Sequence, residues 1–276
     1  MICSYYKTSN TDCTEAKNLT AITIEKISPD AVFLLGTLKY CHTTATIFSS
    51  PVASSSNKHF FLLVLVEKDE EHSLNSIQDK IENNVQHLTP TTAITMNTAA
   101  FCRWIHEGQP FAVNVTRHAE KLYRSETCLI PITASINEQE QKLPIQALFI
   151  QSGKKLDSFL AGAELFKIRQ EYRLAAFMLH QAAEQALSAM LTLNTGLKIN
   201  THSIDKLIRY CSMFCPALLD LFQKNSEREK KLYALLNKAY IDTRYRDDYT
   251  INFDELSALM DKLNTVKAIF MSCKPR

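Results

Sequence analysis

Apolar and polar positions alternate in two different rhythms along this chain. Asp12 to Ile27 carries its apolar residues at helical spacing, and Pro29 ends that helix. Ala31-Val32-Phe33-Leu34-Leu35 is a short buried strand closed by Gly36-Thr37. Thr43 to Asn57 is rich in serine and threonine and contains Pro51, which predicts a loop or weak hairpin. His59 to Glu67 is apolar on both sides, the pattern of a central strand. From Glu70 to Leu88 the residues Leu74, Ile77, Ile81, Val85 and Leu88 share one face of an amphipathic helix. Thr92–Asn97 is a third strand. Thr98 is expected to cap a short helix that stops at Gly108, another short helix or turn follows, and Lys121–Tyr123 is a candidate edge strand.

After Pro144 the rhythm changes. Ser125 to Pro144 has no regular pattern and is expected to be a connector between two domains, 1–135 and 145–276. Beyond it the β-branched runs disappear and helical periodicity takes over, so the fold class is α/β followed by all-α. Ser152–Arg169 and Tyr172–Leu193 are the first two helices, the second stopped by Gly196. Ser203 or Thr201 caps a third, and Pro216–Phe222 is a short fourth piece. Ser226 with Glu229 predicts a capping box for a helix reaching Asp242. A polar elbow, Thr243–Ile251, leads to a last helix over Asp254–Met271.

Composition narrows the chemistry. The net charge of +2 leaves no global field for nucleic acid or membrane. The 5 glycines are all isolated, so no glycine-rich phosphate loop can be written. The 8 cysteines contain no C-x-x-C pair, so free thiols are expected rather than a metal site. Met1–Asn10 lacks the apolar core of a signal peptide, and the longest wholly apolar run, Phe60–Val66, falls far short of the ~20 residues that span a bilayer. These features predict a cytoplasmic protein with no membrane partner, no cofactor and no metal.

Two polar constellations remain. His180 and Glu184 stand at i and i+4 on an alanine-rich helix, with Phe177 and Arg173 on the same face one and two turns earlier. A carboxylate there can orient the imidazole for proton transfer, or the pair can simply tie two helices together. The elbow Tyr240–Tyr249 carries Arg244, Arg246 and three tyrosines, a candidate anion or nucleotide clamp; Asp242, Asp247 and Asp248 equally allow a solvated loop of internal ion pairs. His202, ahead of the third helix, is either a cap or part of the same cleft. In the first half, metal-dependent nucleotidyl transfer needs carboxylates at a strand end, and His59–Val66 has none.

Phe177–Glu184 (Phe-x-Leu-His-Gln-Ala-Ala-Glu), Thr201-His202 before a helix, and Ala239-Tyr240 followed by Arg244-Tyr245 resemble the HEPN domain. That domain, a bundle of about five helices, occurs in prokaryotes and in some large eukaryotic chaperone-like proteins. The resemblance spans Gln146–Phe270. Ile27–Thr37, His59–Val66, and Gly108–Phe111 with Leu122-Tyr123 are similar to segments of the minimal nucleotidyltransferase domains that accompany HEPN domains. The resemblance implies a nucleotidyltransferase-like sheet domain followed by a HEPN bundle, paired as a homodimer through its helices. The Asp-x-Asp of the transferases is absent from His59–Val66. Many HEPN ribonucleases carry an arginine followed, after four to six residues, by a histidine. Here Arg244 meets Tyr249 at that spacing, and a phenol is a poor acid or base at neutral pH. The expectation is a non-catalytic module binding a nucleotide or RNA through Arg244, Tyr245, Arg246 and His180, with Glu184, Tyr249 and His202 alongside. The alternatives are a metal-independent endoribonuclease, with His180 or Tyr249 in place of the usual histidine, and a scaffold.

Overall fold

The structure is a computed structural model that describes residues 10–46, 49–67, 73–85, 87–131 and 138–275. The chain divides into two compact units, Ile2–Ile136 and Asn137–Arg276.

The first unit is a four-stranded mixed sheet with helices. α1 (Asn10–Ile27) precedes β1 (Ala31–Thr46) and β2 (Ser49–Val66); α2 (Leu74–Val85) leads to β3 (Thr91–Asn97); α3 (Thr98–His106) and α4 (Pro110–His118) lead to β4 (Glu120–Arg124). The strand order is β3-β2-β1-β4, with β2 parallel to β3 and β1 antiparallel to both β2 and β4. β2 is therefore interior and β4 an edge, as their patterns predict. Phe60 to Val66 is buried on both faces. On one face Val32, Leu34, Phe60, Leu62 and Val64 pack against Ala16 and Leu19 of α1 and Ile77, Ile81 and Val85 of α2. On the other, Phe33 meets Phe101 of α3.

Several boundaries depart from the sequence pattern. β1 does not close at Gly36-Thr37; it continues to Thr46, with a register shift between Leu34 and Gly36. The register passes over Leu35, and the threonines beyond it favour extended backbone. Of the two alternatives expected for Thr43–Asn57, the hairpin is the one found, with Thr43 opposite Ser54 and Thr46 opposite Ser49; residues 47–48 lie outside the described residues. Leu74 and Leu88 are exposed rather than part of the buried face of α2, because one opens the helix and the other follows its end. Residues 68–72, where that helix was expected to begin, lie outside the described residues. Asn97, not Thr98, caps α3: its side chain accepts from the Ala100 N–H at 3.0 Å, while the Thr98 hydroxyl donates to Asp30.

The second unit is helical: α5 (Glu138–Ile168), α6 (Tyr172–Thr195), α7 (Ile204–Cys211), α8 (Ala217–Leu221), α9 (Glu227–Tyr245) and α10 (Phe253–Ser272). α5 begins inside the segment expected as connector and runs through Pro144. Its first turns are Glu and Gln, good helix formers, and a proline removes only one intrahelical hydrogen bond. Gly196 stops α6 with φ 77°, a left-handed conformation that suits glycine. The inner faces follow the predicted spacing: Leu232, Leu236 and Ala239 on α9 and Leu256, Leu259, Leu263, Val266 and Phe270 on α10 are buried. Ser226 forms one half of the expected box, accepting from the Glu229 N–H at 3.2 Å, while the Glu229 carboxylate instead meets Lys262 at 2.9 Å. The complete capping box is at Asn252 and Glu255, where α10 starts.

Candidate functional site

The polar face of α6 and the C-terminal turns of α9 meet around one ring, Tyr240. His202 stacks on it at 4.3 Å with the rings 15° from parallel. His180 lies 5.5 Å away and Phe177 6.2 Å away. The Arg244 guanidinium sits 4.1 Å from the Tyr240 centroid and its Nε donates to the Tyr240 carbonyl at 2.7 Å. Helical spacing builds this arrangement from both sides. Phe177, His180 and Glu184 are three and four residues apart on α6, and Tyr240 and Arg244 are four apart on α9, so each set shares a face.

Glu184 links the two histidines. Its carboxylate accepts from Nδ1 of His202 at 3.0 Å and lies 3.6 Å from Nε2 of His180. Burial pushes this carboxyl up, but the two imidazoles outweigh burial and hold it below the usual range. His180 is fully buried and its Nδ1 donates to the Leu236 carbonyl at 2.9 Å. It therefore fastens α6 to α9 from inside the bundle and presents nothing to solvent. His202 is half exposed and is oriented by Glu184.

The elbow is shorter than expected, because α9 continues through Tyr245. Arg244 and Tyr245 are exposed, Tyr245 by 75%. Arg246 pairs with Asp248 at 3.5 Å and Asp242 at 4.0 Å, so its charge is partly neutralised. Tyr249 stands apart from the cluster. It is buried, its hydroxyl donates to the Leu235 carbonyl at 3.0 Å, and burial pushes the phenol up, which keeps it neutral. The structure thus brings Arg244, Tyr245, His202 and Glu184 together around Tyr240, sets His180 beneath them, and places Tyr249 in the core.

Arg173 has a part that its sequence position does not reveal. Its Nη2 donates to the carbonyls of Thr243 at 3.1 Å and Arg246 at 2.6 Å. A cation on the last carbonyls of α9 satisfies groups that a helix end leaves unpaired and suits the negative end of its dipole. The sequence signal was its place on the Phe177 face, three turns of helix shared with His180 and Glu184. Asp205 is a second hub: it accepts from Arg209 at 2.9 Å, meets Lys224 at 3.3 Å and receives the Tyr233 hydroxyl. Among the described residues no three His, Cys, Asp or Glu side chains converge as a metal site would require. Among them, too, no helix is long and apolar enough to cross a membrane.

An α-helical unit with a cationic and aromatic ledge at one helix end is the class this geometry defines. Residues 154–274 match the HEPN domain family, so the chain carries a HEPN domain, formed by most of α5 through α10. The match includes every residue of the Tyr240 cluster. Among solved structures, the chain is similar to a nucleotidyltransferase-like protein from Exiguobacterium sibiricum 255-15, with 12% identity over 96% of this chain and 77% of that one. The TM-score is 0.31, too low to bear on the fold. No curated protein matches the chain.

Proposed function

We propose that the HEPN unit binds a phosphate-bearing ligand, a nucleotide or a strand of RNA, on the ledge of Arg244, Tyr240, Tyr245 and His202. The observation that carries this reading is the state of Arg244. Its guanidinium is exposed yet oriented, stacked on Tyr240 and tied through Nε, which leaves its terminal nitrogens available, among the described residues, for a phosphate fork. Tyr245 and His202 add exposed ring surface on which a base can stack. His180 and Arg173 hold the ledge from behind. In the same reading the bundle pairs with a second copy, and the first unit is a nucleotidyltransferase-like domain without its transferase carboxylates. That last point rests on the interior strand β2, whose His59–Val66 stretch contains no Asp or Glu. The test is titration of the purified protein with ATP and with a short 5′-phosphorylated RNA. Arg244→Ala should weaken binding by about 1.5–3 kcal/mol, the range for a hydrogen bond to a charged group. Equal binding by a folded Arg244→Ala protein ends this reading.

One observation favours a second reading, a metal-independent endoribonuclease. His202 is a half-exposed imidazole held at Nδ1 by a carboxylate 3.0 Å away, the arrangement of an oriented acid or base, and it shares the Tyr240 ring with Arg244. His180 and Tyr249 are buried and do not fit that role. RNA cleavage in EDTA that is lost on His202→Gln and kept on Tyr249→Phe would establish it.

A further inference from the structure

A concavity of about 140 Å³ lies between α5, α6 and the chain that follows α6. Leu148, Ala189 and Ile199 form its apolar wall, and Gln185, Ser188 and Lys198 line it as well. The wall beyond α6 is fixed in place. The Thr192 hydroxyl donates to the Leu197 carbonyl at 3.0 Å, and the Leu197 N–H donates to the Thr195 hydroxyl at 3.0 Å. Lys198 and Ile199 follow directly. No residue of the Tyr240 cluster lines this concavity, yet the two places share their supports. Gln185 and Ser188 follow Glu184 on α6, and Lys198 and Ile199 precede His202 on one loop.

The three polar side chains have little to bond within the protein. Gln185 Nε2 reaches the Ser152 hydroxyl only at 3.5 Å, the outer limit of a hydrogen bond. The Ser188 hydroxyl and the exposed Lys198 ammonium have no partner among the described residues. Apolar walls with a few convergent polar groups are the form of a ligand site. The groups define the ligand. The amide and the hydroxyl each donate and accept, whereas the ammonium only donates. A hydrocarbon would leave all three unpaired. A bare phosphate is chiefly an acceptor, so it leaves the amide carbonyl unmatched and gains nothing from the wall. A nucleobase presents donors and acceptors on one edge and an apolar face. A cavity of about 150 Å³ holds benzene. The size therefore suits the single ring of a pyrimidine and not the fused rings of a purine.

We propose that this concavity receives a pyrimidine base, with Gln185 and Ser188 on the base edge and Lys198 on the phosphate of the same nucleotide. The proposal deepens the ledge reading and rests on it for the rest of the strand, whose neighbouring nucleotide occupies Arg244 and His202. At ~1.5 Å per residue Ser188 stands about 6 Å along α6 from Glu184, so one short strand can span both places. The ligand is then a strand of at least two nucleotides, with a pyrimidine at the second position.

The experiment uses the full chain and separates the two places by phosphate. Uridine, which has none, is titrated while backbone and side-chain amide resonances are followed by NMR. Saturable shifts are expected over residues 185–199, the Gln185 side-chain amide among them, from uridine and cytidine and not from adenosine. They should survive Arg244→Ala and be lost on Gln185→Leu and on Ser188→Met, which fills the concavity. With a 5′-phosphorylated oligouridine, Ser188→Met should weaken binding about tenfold while leaving ATP binding unchanged. Uridine shifts that are absent, that persist in both variants or that adenosine matches overturn the proposal. So does a folded Ser188→Met protein that binds the oligouridine as wild type does. ATP binding that ignores Arg244→Ala, with the uridine shifts intact, keeps the base site and ends the ledge reading alone.

Discussion

His202 and Tyr240 stack at 4.3 Å although one stands in the turn before α7 and the other near the end of α9. The contact makes Tyr240 the floor on which both a half-exposed imidazole and the Arg244 guanidinium rest. Tyr240→Phe keeps the ring and should leave ligand binding within about twofold. Tyr240→Leu removes the aromatic face, so Arg244 and His202 lose their orientation, and the fold should lose about 0.5–1.5 kcal/mol per aromatic pair removed. Urea melts and ligand titration of the two variants check this; equal binding by both would show that the ring does not organise the ledge.

Arg173→Met should loosen the elbow. It removes charge-assisted bonds to the Thr243 and Arg246 carbonyls while keeping the aliphatic stem. The expected cost is about 1.5–3 kcal/mol. Amide exchange should accelerate at residues 243–249 and stay unchanged in α10. Uniform acceleration over the whole unit would mean that Arg173 supports the bundle generally instead of strapping its elbow.

Acid should weaken the HEPN unit through Glu184 and Asp205. Burial raises both carboxyls, but the His180 and His202 imidazoles in one case, and Tyr233, Arg209 and Lys224 in the other, hold them below the usual range. A depressed folded pKa stabilises fully above the unfolded value, about 3.9–4.3 for these side chains, and is lost as pH falls through the lower folded value. Urea midpoints should therefore decline below about pH 4.5. Asp205→Asn should lower stability at neutral pH and flatten that decline; a decline parallel to wild type would exclude Asp205 as a contributor.

Alkali should act through two phenols. Burial pushes Tyr249 and Tyr233 up, with Asp242 and Asp205 respectively adding to the shift. The unfolded chain then loses these protons first, near pH 10, so stability falls as pH rises past that point. The Tyr233→Phe, Tyr249→Phe double variant should lack part of this alkaline loss. At neutral pH each single change costs about 1 kcal/mol for the lost hydrogen bond. Absorbance of tyrosinate during a pH titration, read beside the unfolding curve, checks the sign.

Gly153→Ala should stabilise α5. A Cβ at this helical position would meet Phe270 Cε1 at 3.5 Å, an ordinary contact. Alanine gains about 0.8–1.0 kcal/mol over glycine inside a helix. A rise in melting temperature is expected, and a fall would show that Phe270 cannot accept the contact.

The periodicity of the sequence by itself determined the change from α/β to all-α, the interior position of β2, and most helix faces. Those properties are local: a helix face or a strand buried on both sides is written within one or two dozen residues. It also put Phe177, His180 and Glu184 on one face of α6, and Tyr240 beside Arg244. The tertiary structure decided what those faces meet. Nothing near His202 announces Glu184 or Tyr240 as its partner, and nothing near Arg173 announces the carbonyls of Thr243 and Arg246. Tyr249 has the spacing of a site residue, yet the path of the chain into α10 buries it against Leu235. Thr43–Asn57 reads as a loop or weak hairpin because serine and threonine accept either state, and the pairing of β1 with β2 is what selects one. Such contacts depend on how helices and strands cross in space, and local spacing carries no information about that.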